Sequence, residues 1–175
     1  DGLAHALQAM LPAFELSAPE HAVYAASFSP DGALVATYPW MAGPDDRILI
    51  RSTDRLDLVA ALPAGESPLG HMVFSPDHRR LAVGGEERCV VWDLASGAKQ
   101  FEVAGCAQPF FSVDGALLLG KSVGEGFTWG SRNYAGLAAW DAADGAPRWT
   151  VPFDGLDFGA VAHPDGRRIV VKRDH

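Results

Sequence analysis

Phe74-Ser75-Pro76-Asp77-His78, then Leu81-Ala82-Val83, then Cys89-Val90-Val91-Trp92-Asp93-Leu94-Ala95-Ser96-Gly97 form the stretch that decides the fold. The first five residues read as a tight turn. Proline presets φ at about −65°, aspartate suits the next place, and the fifth calls for left-handed backbone, which glycine adopts at least cost. Apolar residues on both sides make this turn a β-hairpin. The run from Cys89 adds a third strand that ends in Trp92-Asp93 and a turn closing at Gly97, and Phe101-Glu102-Val103 supplies a fourth short strand. Four strands joined by turns, in chain order, describe an antiparallel meander.

The same cadence recurs along the chain. Phe28-Ser29-Pro30-Asp31-Gly32, Phe111-Ser112-Val113-Asp114-Gly115 and Ala162-His163-Pro164-Asp165-Gly166 align with the turn at Asp77. Leu137-Ala138-Ala139-Trp140-Asp141-Ala142-Ala143-Asp144-Gly145 repeats the Trp-Asp element, and Ile48-Leu49-Ile50-Arg51-Ser52 holds its place in the first unit without that pair. Leu58-Val59-Ala60 and Trp149-Thr150-Val151 match Phe101-Glu102-Val103 as fourth strands. Units of four antiparallel strands repeating every 40 to 50 residues or so predict an all-β β-propeller. Three complete blades are expected near 20–65, 66–104 and 105–153, with a partial blade over 157–175. Residues 1–19 offer a complement to that partial blade through Gly2-Leu3-Ala4-His5 and Phe14-Glu15-Leu16, which would close a four-bladed ring. The favoured expectation is instead a segment of a longer propeller, with the remaining blades elsewhere in a parent chain. Leu3, Leu7, Met10 and Leu11 also fall at helical spacing, a minor alternative for the opening residues.

In this scheme Asp31, Gly32, Asp77, Asp114, Gly115, Asp165 and Gly166 are turn formers, and Trp92, Asp93, Trp140 and Asp141 belong to the structural core between blades. His78 takes the place of the turn glycine, where left-handed geometry costs a non-glycine residue about 1 kcal/mol.

Phe-Ser-Pro-Asp-Gly followed by Val-Trp-Asp-Leu-x-x-Gly resembles the WD repeat, most sharply over residues 70–103, and the resemblance runs from about Leu11 to the end. It implies a rigid, non-catalytic platform for protein complexes. Typical members carry a Gly-His pair well upstream of the first strand. His21 fits that place, whereas His71 stands so close to Phe74 that it falls within the strand. Residues Leu137–Trp149 are also similar to the repeat of pyrroloquinoline-quinone-type propellers, which implies a propeller enzyme or an assembly factor as the alternative.

Composition narrows the function classes. The 175 residues carry a formal net charge of −8, and their cations form no stripe able to neutralise a phosphate backbone, so nucleic acid is not an expected partner. No apolar run approaches the roughly 20 residues that span a bilayer, so membrane insertion is not expected either. The six histidines are scattered without ligand spacing, which gives no metal site. Ser29, Ser75 and Ser112 sit in turns, and no nucleophile elbow or metalloprotease motif occurs, so no catalytic residue and no cofactor are assigned. Cys89 and Cys106 make a single possible pair and read as buried thiols of a reducing, cytoplasmic compartment. The chain begins at Asp1, and a preceding signal or domain is left open.

The position of a partner site follows from loop length. In a meander the connections between second and third strands emerge on the face opposite the hairpin turns. The span from turn aspartate to third strand is shortest in the second unit and longer in the first and third. The extra residues include Trp40, Met41, Asp45 and Asp46 in the first unit, and Phe127, Trp129, Arg132, Asn133 and Tyr134 in the third. Aromatics, Met and Arg on loops are what interface hot spots are made of, so these residues are the expected contacts for a protein or peptide partner. The competing reading folds Trp40, Phe127 and Trp129 back over their own blades. Trp149, which matches Phe101, is expected to pack.

Overall fold

The computed structural model describes residues 23–39, 45–64, 71–85, 88–123, 134–152, 158–162 and 168–173. Among these, every regular element is a strand. The first sheet comprises β1 (Val23–Phe28), β2 (Leu34–Pro39), β3 (Arg47–Ser52) and β4 (Leu58–Pro63). The second comprises β5 (His71–Phe74), β6 (Arg80–Gly84), β7 (Arg88–Asp93) and β8 (Lys99–Ala104). The third comprises β9 (Cys106–Phe111), β10 (Leu117–Val123), β11 (Tyr134–Asp141) and β12 (Pro147–Pro152). A two-stranded hairpin, β13 (Phe158–Ala162) and β14 (Ile169–Arg173), follows. Each four-stranded sheet is an antiparallel meander in chain order. The first strands β1, β5 and β9 lie side by side, so the three sheets stand face to face as propeller blades.

The strand sequences dictate this stacking. Second strands such as Leu81-Ala82-Val83 are apolar on both faces because a blade is covered on both sides. Their alternation sends successive residues to opposite seams. In the seam between first and second sheets, Ala36, Tyr38, Ile48, Ile50 and Leu62 meet Phe74, Leu81 and Val83, with Trp92 at the margin. In the next, Ala82, Cys89, Val91, Phe101 and Val103 meet Cys106, Phe111, Leu118, Ala138 and Trp140. Burying each such aliphatic or aromatic side chain is worth about 1.5–3 kcal/mol, which makes the two seams the main source of cohesion.

The turn phenylalanines show how a seam is keyed. Phe74 and Phe111 are 3% and 7% exposed, each wedged against the preceding sheet, whereas Phe28 in the first sheet is 67% exposed. At the other end of the seam, the Phe101 ring occupies the space where a Cβ on Gly145 would stand, 2.6 Å from that position. Trp149, the counterpart of Phe101 on β12, keeps 38% of its surface exposed, against the expectation that it packs.

Cys89 and Cys106 are joined as a disulfide with a Cα–Cα separation of 5.3 Å, linking β7 of the second sheet to β9 of the third. This corrects the expectation of two free thiols. Their burial is as expected, for neither has exposed surface. The pairing follows from alternation, which aims both side chains into one seam from opposite sides. The helical alternative for residues 3–11, the strand complement in 1–19 and the turn at Asp165 and Gly166 lie outside the described residues.

Candidate functional site

One face of the stacked sheets carries the hairpin turns, and its chemistry is uniform. The Ser29 and Ser112 hydroxyls donate to the Oδ1 atoms of Asp31 and Asp114 at 2.6 Å, and Ser75 donates likewise to Asp77. Each serine Oγ also accepts a backbone N–H, from Leu34 at 2.9 Å, Arg80 at 3.0 Å and Leu117 at 2.9 Å. Each aspartate in turn accepts the N–H two residues on, from Ala33, Arg79 and Ala116. The fifth turn position has φ of 71° at Gly32, 61° at His78 and 70° at Gly115, the left-handed geometry anticipated from the sequence.

The serine hydroxyl, reinforced by the turn N–H, holds the carboxyls of Asp31 and Asp114 below the usual aspartate range. At Asp77 burial works the other way, and the Ser75 hydroxyl, the Arg79 N–H and the Arg80 charge together outweigh it.

These turns are also tied to the turns between third and fourth strands. Thr53 donates its N–H to Ala33 O at 2.9 Å, Leu94 to Arg79 O at 2.8 Å and Ala142 to Ala116 O at 2.9 Å. Asp93 and Asp141 sit at strand ends and cap those second turns. Asp93 Oδ1 accepts Ser96 N–H at 2.8 Å and Ser96 Oγ–H at 2.6 Å. Asp141 accepts Ala143 N–H at 2.8 Å and pairs with Arg148. Trp140, beside it, lies in the second seam at 9% exposure, and Trp92 is half-buried beside the first.

Further contacts cross from blade to blade on this same face. His78 Nδ1 lies 2.8 Å from Asp31 Oδ2. Arg80 donates to Gly115 O at 3.0 Å and to Ala142 O, and its guanidinium stands 5.4 Å above the centroid of the Phe111 ring. Gln100 donates to Ala143 O at 2.7 Å. The turn face is therefore spent on holding the blades in register. Arg80 was not singled out by sequence reasoning, because nothing in Arg79-Arg80 tells which of the two bridges to the next blade.

The ends of the second strands and the starts of the third strands lie on the opposite face, since the sheets are antiparallel and the turn faces are aligned by the contacts just described. The three connections span residues 40–46, 85–87 and 124–133. Asp45 is exposed at the edge of the first, and Asp46 is half-buried, its carbonyl accepting Ala64 N–H at 3.0 Å. Tyr134 opens β11, half-buried, with its ring centroid 4.5 Å from Lys121 Nζ. Lys121 itself is only 5% exposed. Desolvation, with the Lys121 charge added, holds the His71 imidazole at the start of β5 below the ordinary histidine range. The structure thus brings Lys121, Tyr134 and His71 to one rim of this face. Of these the sequence marked only Tyr134 as a contact residue and His71 as part of a strand, although a lysine inside the apolar run Leu117–Val123 is a visible anomaly. Trp40, Met41, Phe127, Trp129, Arg132 and Asn133 lie outside the described residues.

Among the described residues no three His, Cys, Asp or Glu side chains gather as a metal ion would require. Nor, among them, is any helix long and apolar enough to cross a membrane.

Residues 57–93 match the family model described as WD domain, G-beta repeat. The fold is similar to that of a chain in a solved structure, "Crystal structure of the eukaryotic initiation factor", at 20% identity and a TM-score of 0.59. That match covers 78% of this chain and 34% of the other, so the present chain spans about a third of that neighbour's length. At this identity the likeness is one of fold alone. No curated protein sequence matches the chain. The three sheets are propeller blades with a WD-repeat cadence, and WD repeats generally act as protein-interaction scaffolds.

Proposed function

We propose that these WD-type blades form a non-catalytic platform that captures a protein or peptide on the face bearing the 40–46 and 124–133 connections. One observation carries this reading: the two faces are built on different terms. The turn face is short, repeated and cross-linked by hydrogen bonds from Thr53, Leu94, Ala142 and Arg80. The other face varies from blade to blade, with connections of unequal length. A rigid scaffold that presents variable loops is the usual arrangement for recognition.

The contacts are assigned to Trp40, Met41, Asp45 and Asp46 on one connection and to Phe127, Trp129, Arg132, Asn133 and Tyr134 on the other. Aromatic side chains and arginine contribute large contact area at low entropic cost, and Asp45 and Asp46 add a polar rim. Lys121, placed beneath Tyr134, fixes the base of the second loop through the cation–aromatic contact.

The test is replacement of Trp40, Trp129, Arg132 and Tyr134 by alanine in the full chain. Partner capture is expected to be lost while the melting midpoint stays near that of the parent. Unchanged capture would refute the assignment of this face.

A further inference from the structure

We infer that Cys89 and Cys106 make a permanent covalent seam between the second and third blades, acquired by oxidation as the chain folds in an oxidising compartment. The two residues come from different sheets, seventeen apart in sequence, with Cα atoms 5.3 Å apart, inside the span that a disulfide bridges. Neither has exposed surface.

The seam is shaped around the sulfurs. A Cβ on Gly120 would stand 2.7 Å from Cys106 Sγ. One on Gly84, the cross-strand partner of Cys89, would meet Cys89 Sγ at 3.4 Å and Pro109 Cδ at 2.1 Å. Glycine at 120 leaves room for a bridge that a side chain there would crowd, while glycine at 84 makes room for the Pro109 ring and leaves Cys89 Sγ in ordinary contact. The surrounding residues, Ala82, Val91, Val103 and Leu118, are apolar and buried, so the sulfurs have neither the exposure nor the electropositive setting of reactive cysteines. The bridge is structural, sealed from reductant once the blades have closed.

Its formation joins Sγ to Sγ and removes one hydrogen from each thiol. The two electrons pass to a protein disulfide donor, whose own bond breaks to two thiols in two successive exchanges. Such donors operate where disulfides persist, in oxidising compartments, in place of the cytoplasmic setting expected from cysteine count.

The test takes the full chain from the cells that produce it, unfolds it with a maleimide and without reductant, and weighs it intact. No adduct is expected, and two adducts only after reduction. Two adducts without reduction would overturn the inference. The folded chain held in reductant below its melting point is expected to keep the bond far longer than an exposed disulfide does, and equal loss would overturn the sealed seam. The Cys89→Ala/Cys106→Ala variant is expected to melt roughly 6–12 °C lower, from the entropy that a loop of this length removes from the unfolded chain. An unchanged midpoint counts against the bridge. None of these readouts depends on the partner-binding face.

Discussion

Replacing Arg80 by alanine is expected to loosen the second blade from the third at the turn end of their seam. The guanidinium donates to two carbonyls of the third sheet, Gly115 O and Ala142 O, and stacks over Phe111. Its side chain is 14% exposed, so water replaces little of what is lost. A hydrogen bond from a charged donor contributes about 1.5–3 kcal/mol. A partly exposed cation–aromatic contact adds about 0.5–1 kcal/mol. Members of one network do not add in full, and Arg80→Ala is therefore set at about 2–4 kcal/mol. In a chain of this size each kcal/mol moves the midpoint by about 2–4 °C, so thermal melting followed by circular dichroism should register a fall of about 4–16 °C. Arg80→Lys keeps the charge and loses the planar fork, and should recover less than half of that fall. A midpoint unchanged in Arg80→Ala, or fully restored by lysine, would refute the claim that this fork ties blade to blade.

Further outcomes follow from the turns and seams. His78→Gly relieves about 1 kcal/mol of left-handed strain and should raise the midpoint, and the rise should be larger on an Asp31→Ala background, where no contact with His78 remains to be lost. A fall on that background would contradict the turn. Phe74→Ala should cost about 3–5 kcal/mol and Phe28→Ala, at the same motif position but exposed, under about 0.5 kcal/mol, as read by urea unfolding. Equal losses would deny that Phe74 keys a seam. Acid titration should show the depressed carboxyls of Asp31, Asp77 and Asp114 at work. A group lowered in the folded state contributes stability above its unfolded value near 3.9 and loses it as pH falls through the lowered one. Stability should therefore decline below about pH 4, and less steeply in Ser29→Ala/Ser112→Ala, where the first cause of the lowering is gone. Parallel slopes would refute the serine's part.

The fold was legible because its turns are written in residue types with narrow backbone preferences. Pro30-Asp31-Gly32 and Asp114-Gly115 announce left-handed bends, and His78 was recognisable as the odd member of the set. What the repeat does not encode is contact between repeats. The bridges from His78 to Asp31 and from Arg80 to Gly115 depend on how far one blade turns against the next, which no local pattern states. The Cys89–Cys106 bond escaped for a related reason. Counting cysteines addresses compartment, while the pairing depends on β7 and β9 facing one another with Gly84 and Gly120 beside them. Asp93 and Asp141 were placed with the tryptophans they follow, yet alternation turns each of them from the seam to the turn. On the partner side, loop length pointed to one face, and the buried Lys121 beneath Tyr134 emerged only from the packing of β10 and β11.

The division of labour between the two faces is tested most directly by a photo-crosslinking amino acid placed singly at Arg132 and at Asp54, the latter in the β3–β4 turn of the first blade. Irradiation of the full chain with its partner should yield a covalent adduct from position 132 and none from position 54. Adducts from position 54 alone would reverse the assignment and contradict the account.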